Sequence, residues 1–146
     1  MTQKVQVWLF RRGDSGRPEV LLLRTTPERG GFWQPVTGSV EAGEGHSAAA
    51  AREAEEETGL ALAPKSLRAI GHAFEFESRW GGRAREEVFV AQVRGDDPVK
   101  TDSREHVDFR WVESSQADSF LAHEETKNSF ALALKFFSEN FSSGQN

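Results

Sequence analysis

TGSVEAGEGHSAAAAREAEEETGL, residues Thr37–Leu60, reads as a loop, a helix and a stop. Gly38, Gly43 and Gly45 break up its start. Ser47 is the expected N-cap, since a hydroxyl there can accept from an orphan backbone N–H. Ala48 to Ala51 are the strongest helix formers, and Gly59 suits the C′ position, which asks for φ > 0. The spacing predicts a helix from about Ser47 to about Thr58. Its second half carries Glu53, Glu55, Glu56 and Glu57. Carboxylates near a helix C-terminus oppose the dipole by roughly 0.3–1 kcal/mol each. Glu53/Glu56 and Glu53/Glu57 add like-charge pairs at i,i+3 and i,i+4, worth about 0.2–0.5 kcal/mol each. Arg52 offsets only part of this. Glu53, Glu56 and Glu57 share one helical face, as oxygen ligands of a hard divalent cation would. An acidic run alone is more often a solvated face, so the surrounding residues decide.

Those residues resemble the Nudix box, G-x5-E-x7-R-E-U-x-E-E-x-G-U, where U is a bulky aliphatic. Gly38, Glu44, Arg52, Glu53, Glu56, Glu57, Gly59 and Leu60 occupy its fixed positions. Ala54, small for the first U, is the one soft departure. The strict motif covers about a sixth of the chain. The resemblance implies a Nudix hydrolase: an α/β fold, a three-layer α/β/α sandwich on a mixed β-sheet. It also implies hydrolysis of a phosphoanhydride bond in a nucleoside diphosphate linked to a further group, with Mg²⁺ or Mn²⁺ as cofactor.

Length and composition agree with this. A chain of 146 residues suits one domain, residues 1–146. Cysteine is absent, which excludes disulfides, thiolate metal sites and cysteine nucleophiles. No apolar run approaches a membrane span, and the N-terminus lacks a signal-peptide pattern, so a cytoplasmic location is expected. The net charge of −5 disfavours broad binding to a nucleic-acid backbone. An anionic substrate has to be met locally.

Along the chain, Val5–Arg12 and Glu19–Thr25 read as strands, and FWQPVTGSV as short extended structure. Arg68–Ser78 and Glu86–Arg94 read as a hairpin across RWGGR. His106–Val112 places Val107, Phe109 and Trp111 on one face. Phe130, Leu134, Phe137 and Phe141 follow helical spacing, and SSGQN reads as a frayed tail. This order also fits helices on both faces of a mixed sheet.

By the resemblance, Glu56 and Glu57 are metal ligands. Glu53 is either a third ligand or the group that takes the proton of the attacking water. Arg52 belongs to the catalytic set and, with Glu44, is expected to brace the loop against the helix. The Thr37 carbonyl is a further candidate ligand, and Gly38 permits close backbone approach. Glu105, in REHVDFRWV, is the first candidate for an acidic ligand outside the box. Glu86 and Glu87 are second candidates, read more readily as hairpin-edge charges. FWQPVTGSVEAGE and the acid-His before a strand ending in Trp are similar to the dihydroneopterin triphosphate pyrophosphatase branch.

Substrate-binding candidates are Phe32 and Trp33 as stacking or core rings, Gln34 as a polar contact and Arg24 near phosphate. Arg79, Arg83 and Arg85 form a basic cluster or a solvated hairpin tip. His46, His72, His106 and His123 lack zinc spacing.

The expected substrate is a small nucleotide or pterin triphosphate: dihydroneopterin triphosphate or a (d)NTP. Alternatives are an RNA 5′-triphosphate end, nucleoside diphosphate sugars and dinucleoside polyphosphates. A noncatalytic nucleotide-binding module is the reading from another class. Monomer and homodimer are both open.

Overall fold

A computed structural model describes residues 1–79 and 81–141; the SSGQN tail lies outside them. The sheet is built on β1 (Thr2–Arg12). Val5, Val7 and Leu9 face one apolar cluster, and Trp8 and Phe10 face the other. A strand covered on both sides needs a nearly continuous apolar run, which VQVWLF supplies. Next come β2 (Pro18–Thr25), β3 (Trp33–Gln34), β4 (Val36–Ser39) and α1 (His46–Thr58). They are followed by β5 (Arg68–Glu77), β6 (Arg83–Gln92) and β7 (His106–Glu113). A short α2 (Ser114–Ala117) leads to α3 (Glu124–Asn140).

The sheet order is β3-β2-β1-β6-β5, with β4 also on β1 and β7 on β2. One edge of β1 pairs in parallel with β6 from Thr2↔Ala84 to Phe10↔Gln92. Its other edge is divided. The C-terminal end takes β2 (Phe10↔Val20) and the N-terminal end takes β4 (Lys4↔Ser39 to Val7↔Val36). The remaining pairs are antiparallel, so the sheet is mixed. α1 covers one face and α2 with α3 the other, giving the expected three layers.

Ala49, Ala50 and Ala54 of α1 are fully buried. Ala54, where the motif has a bulky aliphatic, is among the residues packed into the cluster on this face. α3 buries Phe130, Ala133 and Phe137, with Phe137 stacked on Phe10 at 4.6 Å between ring centroids.

One local expectation is corrected. α1 begins at His46, one residue before Ser47, and its N-cap is Gly45, whose carbonyl accepts from Ala49 N–H at 2.9 Å. Ser47 therefore sits inside the first turn and does not cap; glycine at the cap costs only a few tenths of a kcal/mol. The Val107/Phe109/Trp111 stripe exists, but Val107 and Phe109 are exposed. β7 is a sheet edge beyond the reach of α1, and only Trp111 packs, under the Arg11 guanidinium at 4.4 Å. Gly59 ends α1 as expected, at φ 77, donating to the Glu55 carbonyl at 2.8 Å. No helix among the described residues is long and apolar enough to cross a membrane.

Candidate active site

The site forms where the C-terminal half of α1 faces β4. Gly38 lies on β4 against Glu53, and a Cβ there would overlap the Glu53 carboxyl. The glycine is needed for this approach rather than for an unusual backbone angle.

Arg52 organises the acidic residues. Its Nε and Nη2 donate to the two oxygens of Glu44 at 2.8 and 3.0 Å, a bidentate fork. Nη2 also donates to the Ser39 carbonyl at 2.8 Å, tying α1 to β4. Nη1 donates to Glu53 at 2.8 Å and reaches Glu56 at 3.3 Å. Glu44 in turn accepts from the Glu41 backbone N–H. The Arg52 hydrogen bonds, then that N–H, hold the Glu44 carboxyl down at about 2. Arg52 itself is raised, first by Glu44. The loop between β4 and α1 is thus clamped by one guanidinium.

Glu57 differs from its neighbours. It is 1% exposed, and neither carboxyl oxygen has a hydrogen-bond partner among the described residues. Burial, then Glu53, then the charge of Glu105 raise its pKa well above the carboxylate range, with the Thr37 backbone amide opposing. His106 Nε2 lies 3.9 Å from Glu57 Oε1. Gln34 Nε2 lies 3.1 Å from the same His106 nitrogen. An amide NH₂ only donates, so that nitrogen accepts and the imidazole is neutral. Burial first, then the Arg29 charge, hold His106 down at about 4. The contact with Glu57 is therefore not an ion pair at neutral pH.

A buried carboxyl without a partner is expensive in any fold. Among the described residues no three acidic or imidazole groups already converge on one point, and Glu53 and Glu56 are both paired with Arg52. The donor set still fits a hard divalent cation. It offers orphaned Glu57 oxygens, Glu53 and Glu56 one helical turn away or less, and Glu105 close enough to raise Glu57. Glu105 also meets Arg29 Nη1 at 3.5 Å and shares a polar pocket with Glu56.

A larger cavity of about 660 Å³ opens beside this set. Its lining includes Thr37, Phe32, Gln34, Arg79, Phe74 and Phe76. The other substrate candidates sit elsewhere. Trp33 packs edge-on against Phe120 and under Arg110, inside the α3-side cluster. Arg24 donates to the Gly31 carbonyl and holds its own loop. Arg83 is paired with Glu75 and Glu77 at 3.5 and 3.3 Å, and Arg85 faces Glu75 across the hairpin. The basic cluster is largely answered by the opposite strand.

Three residues that sequence reading passed over belong here. Arg29 lines the polar pocket, the large cavity and the lobe over Glu53 and Glu56. Its signal was a lone arginine in the glycine-bounded loop TPERGG. Lys4 and Gln6, on β1, also line the cavity; they read as ordinary strand residues because their neighbours come from far along the chain. Glu86, read mainly as a hairpin-edge charge, is buried instead at 5% exposure.

The fold resembles solved structures across nearly the whole chain. A C. elegans Ap4A hydrolase in a binary complex superposes with a TM-score of 0.80 at 22% identity, over 95% of this chain and 99% of that one. The E. coli dihydroneopterin triphosphate pyrophosphohydrolase gives 0.75 at 23%, over 91% and 94%. The Nudix domain of Shewanella oneidensis NrtR, complexed with ADP ribose, gives 0.74 at 15%, over 91% and 86%. At these identities the likeness is one of fold. A curated Myxococcus xanthus octanoyltransferase is 44% identical over 103 residues, which make up 70% of this chain. The match spans 28% of that relative's length. Residues 2–133 match the model of the NUDIX domain, and with the box, the clamp and the three layers in place, the chain belongs to the NUDIX family.

Proposed function

We propose that the protein is a divalent-cation-dependent pyrophosphohydrolase of a nucleoside-triphosphate-like substrate, dihydroneopterin triphosphate or a (d)NTP. Mg²⁺ is the expected ion, with Mn²⁺ as substitute. The observation that carries this reading is Glu57: a buried carboxyl with no partner among the described residues, next to Glu53 and Glu56, whose polar lobe shares Lys4, Arg29 and Thr37 with a cavity lined by aromatic rings. Glu53, Glu56, Glu57, Glu105 and the Thr37 carbonyl would hold the ion. When bound, it would supply charge neutralisation of the polyphosphate and activation of water.

The chain's own residues do the rest. Arg29 and Lys4 line both the large cavity and the lobe above Glu53, so the phosphate chain would meet positive charge there. Phe32, Phe74 and Phe76 offer flat apolar walls to a heterocycle. Arg52 holds Glu53 in place, either as a third ligand or as the group that accepts the proton of the attacking water. A P–O bond forms to that water as the bridging P–O bond breaks, and pyrophosphate leaves. Positioning and charge supply most of the acceleration in such chemistry.

Dinucleoside polyphosphates are the second reading, supported by the fold likeness to the Ap4A hydrolase. The RNA 5′ end is disfavoured by the pairing of Arg83 with Glu75 and Glu77. The test is a Mg²⁺-dependent turnover screen over dihydroneopterin triphosphate, the (d)NTPs, diadenosine tetraphosphate, nucleoside diphosphate sugars and triphosphorylated RNA, with the phosphate products resolved. Pyrophosphate release from one triphosphate, abolished in Glu56→Gln, is the expected result. A folded, metal-supplied protein that turns over none of them would leave the noncatalytic binding module.

A further inference from the structure

On the α3-side face of the sheet, Trp8, Val88 and Val90 are packed in the cluster beneath α3. The same rows run on past the helix N-terminus. There Gln6 follows Trp8 along β1, Glu86 follows Val88 along β6, and Phe74 stands opposite Glu86 on β5. All three of these line the large cavity. Glu86 is 5% exposed and Gln6 is 2% exposed, so this is a buried polar pair at the cavity floor.

Its hydrogen bonds have a direction. The indole N–H of Trp8 can only donate, and it donates to Gln6 Oε1 at 2.7 Å. That fixes the Gln6 amide, whose Nε2 then donates to Glu86 Oε2 at 2.8 Å. The chain ends on an acceptor. A carboxylate has about four lone-pair sites, and Gln6 occupies one. Gln6 meets Oε2, and the carboxylate's other lone-pair sites belong to a residue that lines the cavity. The acid is outside the Arg52 clamp and has no part in the hydrolytic steps above.

We propose that Glu86 is the specificity-determining residue of the cavity, accepting from the ring N–H and exocyclic amino group of a 2-amino-4-oxo-pyrimidine edge, the edge that guanine and reduced pterins share. This rests on the nucleotide-like substrate of the proposed function and names its heterocycle. Phe74 beside Glu86, with its ring centroid 5.9 Å from that of Phe76, gives the ring a wall next to the acceptor. Adenine presents an acceptor where guanine presents N1–H, and hypoxanthine lacks the 2-amino group. Burial pushes the Glu86 carboxyl up to about 7, while Lys4 and the Gln6 N–H pull it down. A ligand bringing two N–H donors shifts this balance to the ionised form.

The test is calorimetric binding of GMP, IMP, AMP and 7,8-dihydroneopterin to the intact protein with Mg²⁺ present. A hydrogen bond to a charged acceptor corresponds to roughly tenfold or more in affinity. GMP should therefore bind about tenfold tighter than IMP and AMP, and in Glu86→Gln the three should converge. Whichever of GMP and dihydroneopterin binds tighter identifies the source of the shared edge. The wild-type GMP-to-IMP ratio stands as a test even if the variant misfolds. Equal binding of GMP and IMP, tighter binding of AMP, binding of neither GMP nor dihydroneopterin, or a ratio that survives in Glu86→Gln overturns the proposal. Discrimination without hydrolysis of any anhydride would sink the hydrolytic reading alone. Hydrolysis without discrimination would sink this one alone.

Discussion

Replacing Glu57 by Gln should stabilise the cation-free protein at neutral pH while abolishing turnover, and the stabilisation should have a defined pH dependence. Glu57 is buried, with neither oxygen partnered among the described residues, and its pKa is raised by burial, then by Glu53 and Glu105. An unfolded glutamate titrates near about 4.3. Between that value and the higher folded value, the folded chain keeps a proton that the unfolded chain has released. Stability of the cation-free protein therefore falls as pH rises through this window, by up to about 1.4 kcal/mol per pH unit. Glutamine has no such proton. From about pH 5 to pH 7 the variant should gain roughly 2–3 kcal/mol on the wild type, some 6–10 °C in Tm for a chain of this size. Thermal unfolding in EDTA at the two pH values reads this directly. Saturating Mg²⁺ should reverse the order, since a cation that binds only the native, ionised site stabilises the wild type. A gap that fails to widen between pH 5 and pH 7, or a variant with wild-type turnover, would refute the reasoning.

Three further substitutions probe the framework. Gly38→Ala places a methyl group on the Glu53 carboxyl, and kcat should drop at least about tenfold for the displaced group; unchanged kcat would mean that Glu53 moves freely. Arg52→Lys loses the fork to Glu44 and the reach to Ser39 and Glu53, so Tm and kcat should both fall, the stability loss being about 1–3 kcal/mol for the broken charged bonds; full activity would remove Arg52 from the site's organisation. Ala54→Leu would restore the motif's bulky aliphatic into a fully buried position, and urea unfolding should show a loss of about 1–3 kcal/mol from overpacking; a more stable variant would mean that the helix has room to move off the sheet.

The legible part of the site was the part written close together. Glu53, Glu56 and Glu57 lie within about one turn, so helix geometry alone puts them on one face, and the Gly59 stop needs only its own backbone angle. Glu44 and Arg52, eight residues apart, meet as expected. Helix entry was misjudged by one residue because a serine and a glycine compete for the cap, and only the path of the preceding loop decides between them. The Val107/Phe109/Trp111 alternation correctly indicated a strand, but alternation shows which residues share a face and not whether another layer covers it.

The chain's own order of residues was enough to determine the box helix, its acidic face, the strands and the NUDIX family, because each depends on contacts or periodicities spanning at most about two dozen residues. Tertiary structure alone decided which charges meet the cavity. Gln6 and Glu86 are 80 residues apart and touch because β1 pairs in parallel with β6. Arg29 reaches Glu105 because the loop after β2 abuts the start of β7, where the Thr26 N–H donates to the Glu105 carbonyl. Glu57 and Glu56 are neighbours with the same chemistry, yet one is sealed in the interior and the other is open to solvent. A helix has an inner and an outer side only once a sheet lies against it, and that packing turned one of two adjacent carboxylates into the least satisfied group in the acidic set.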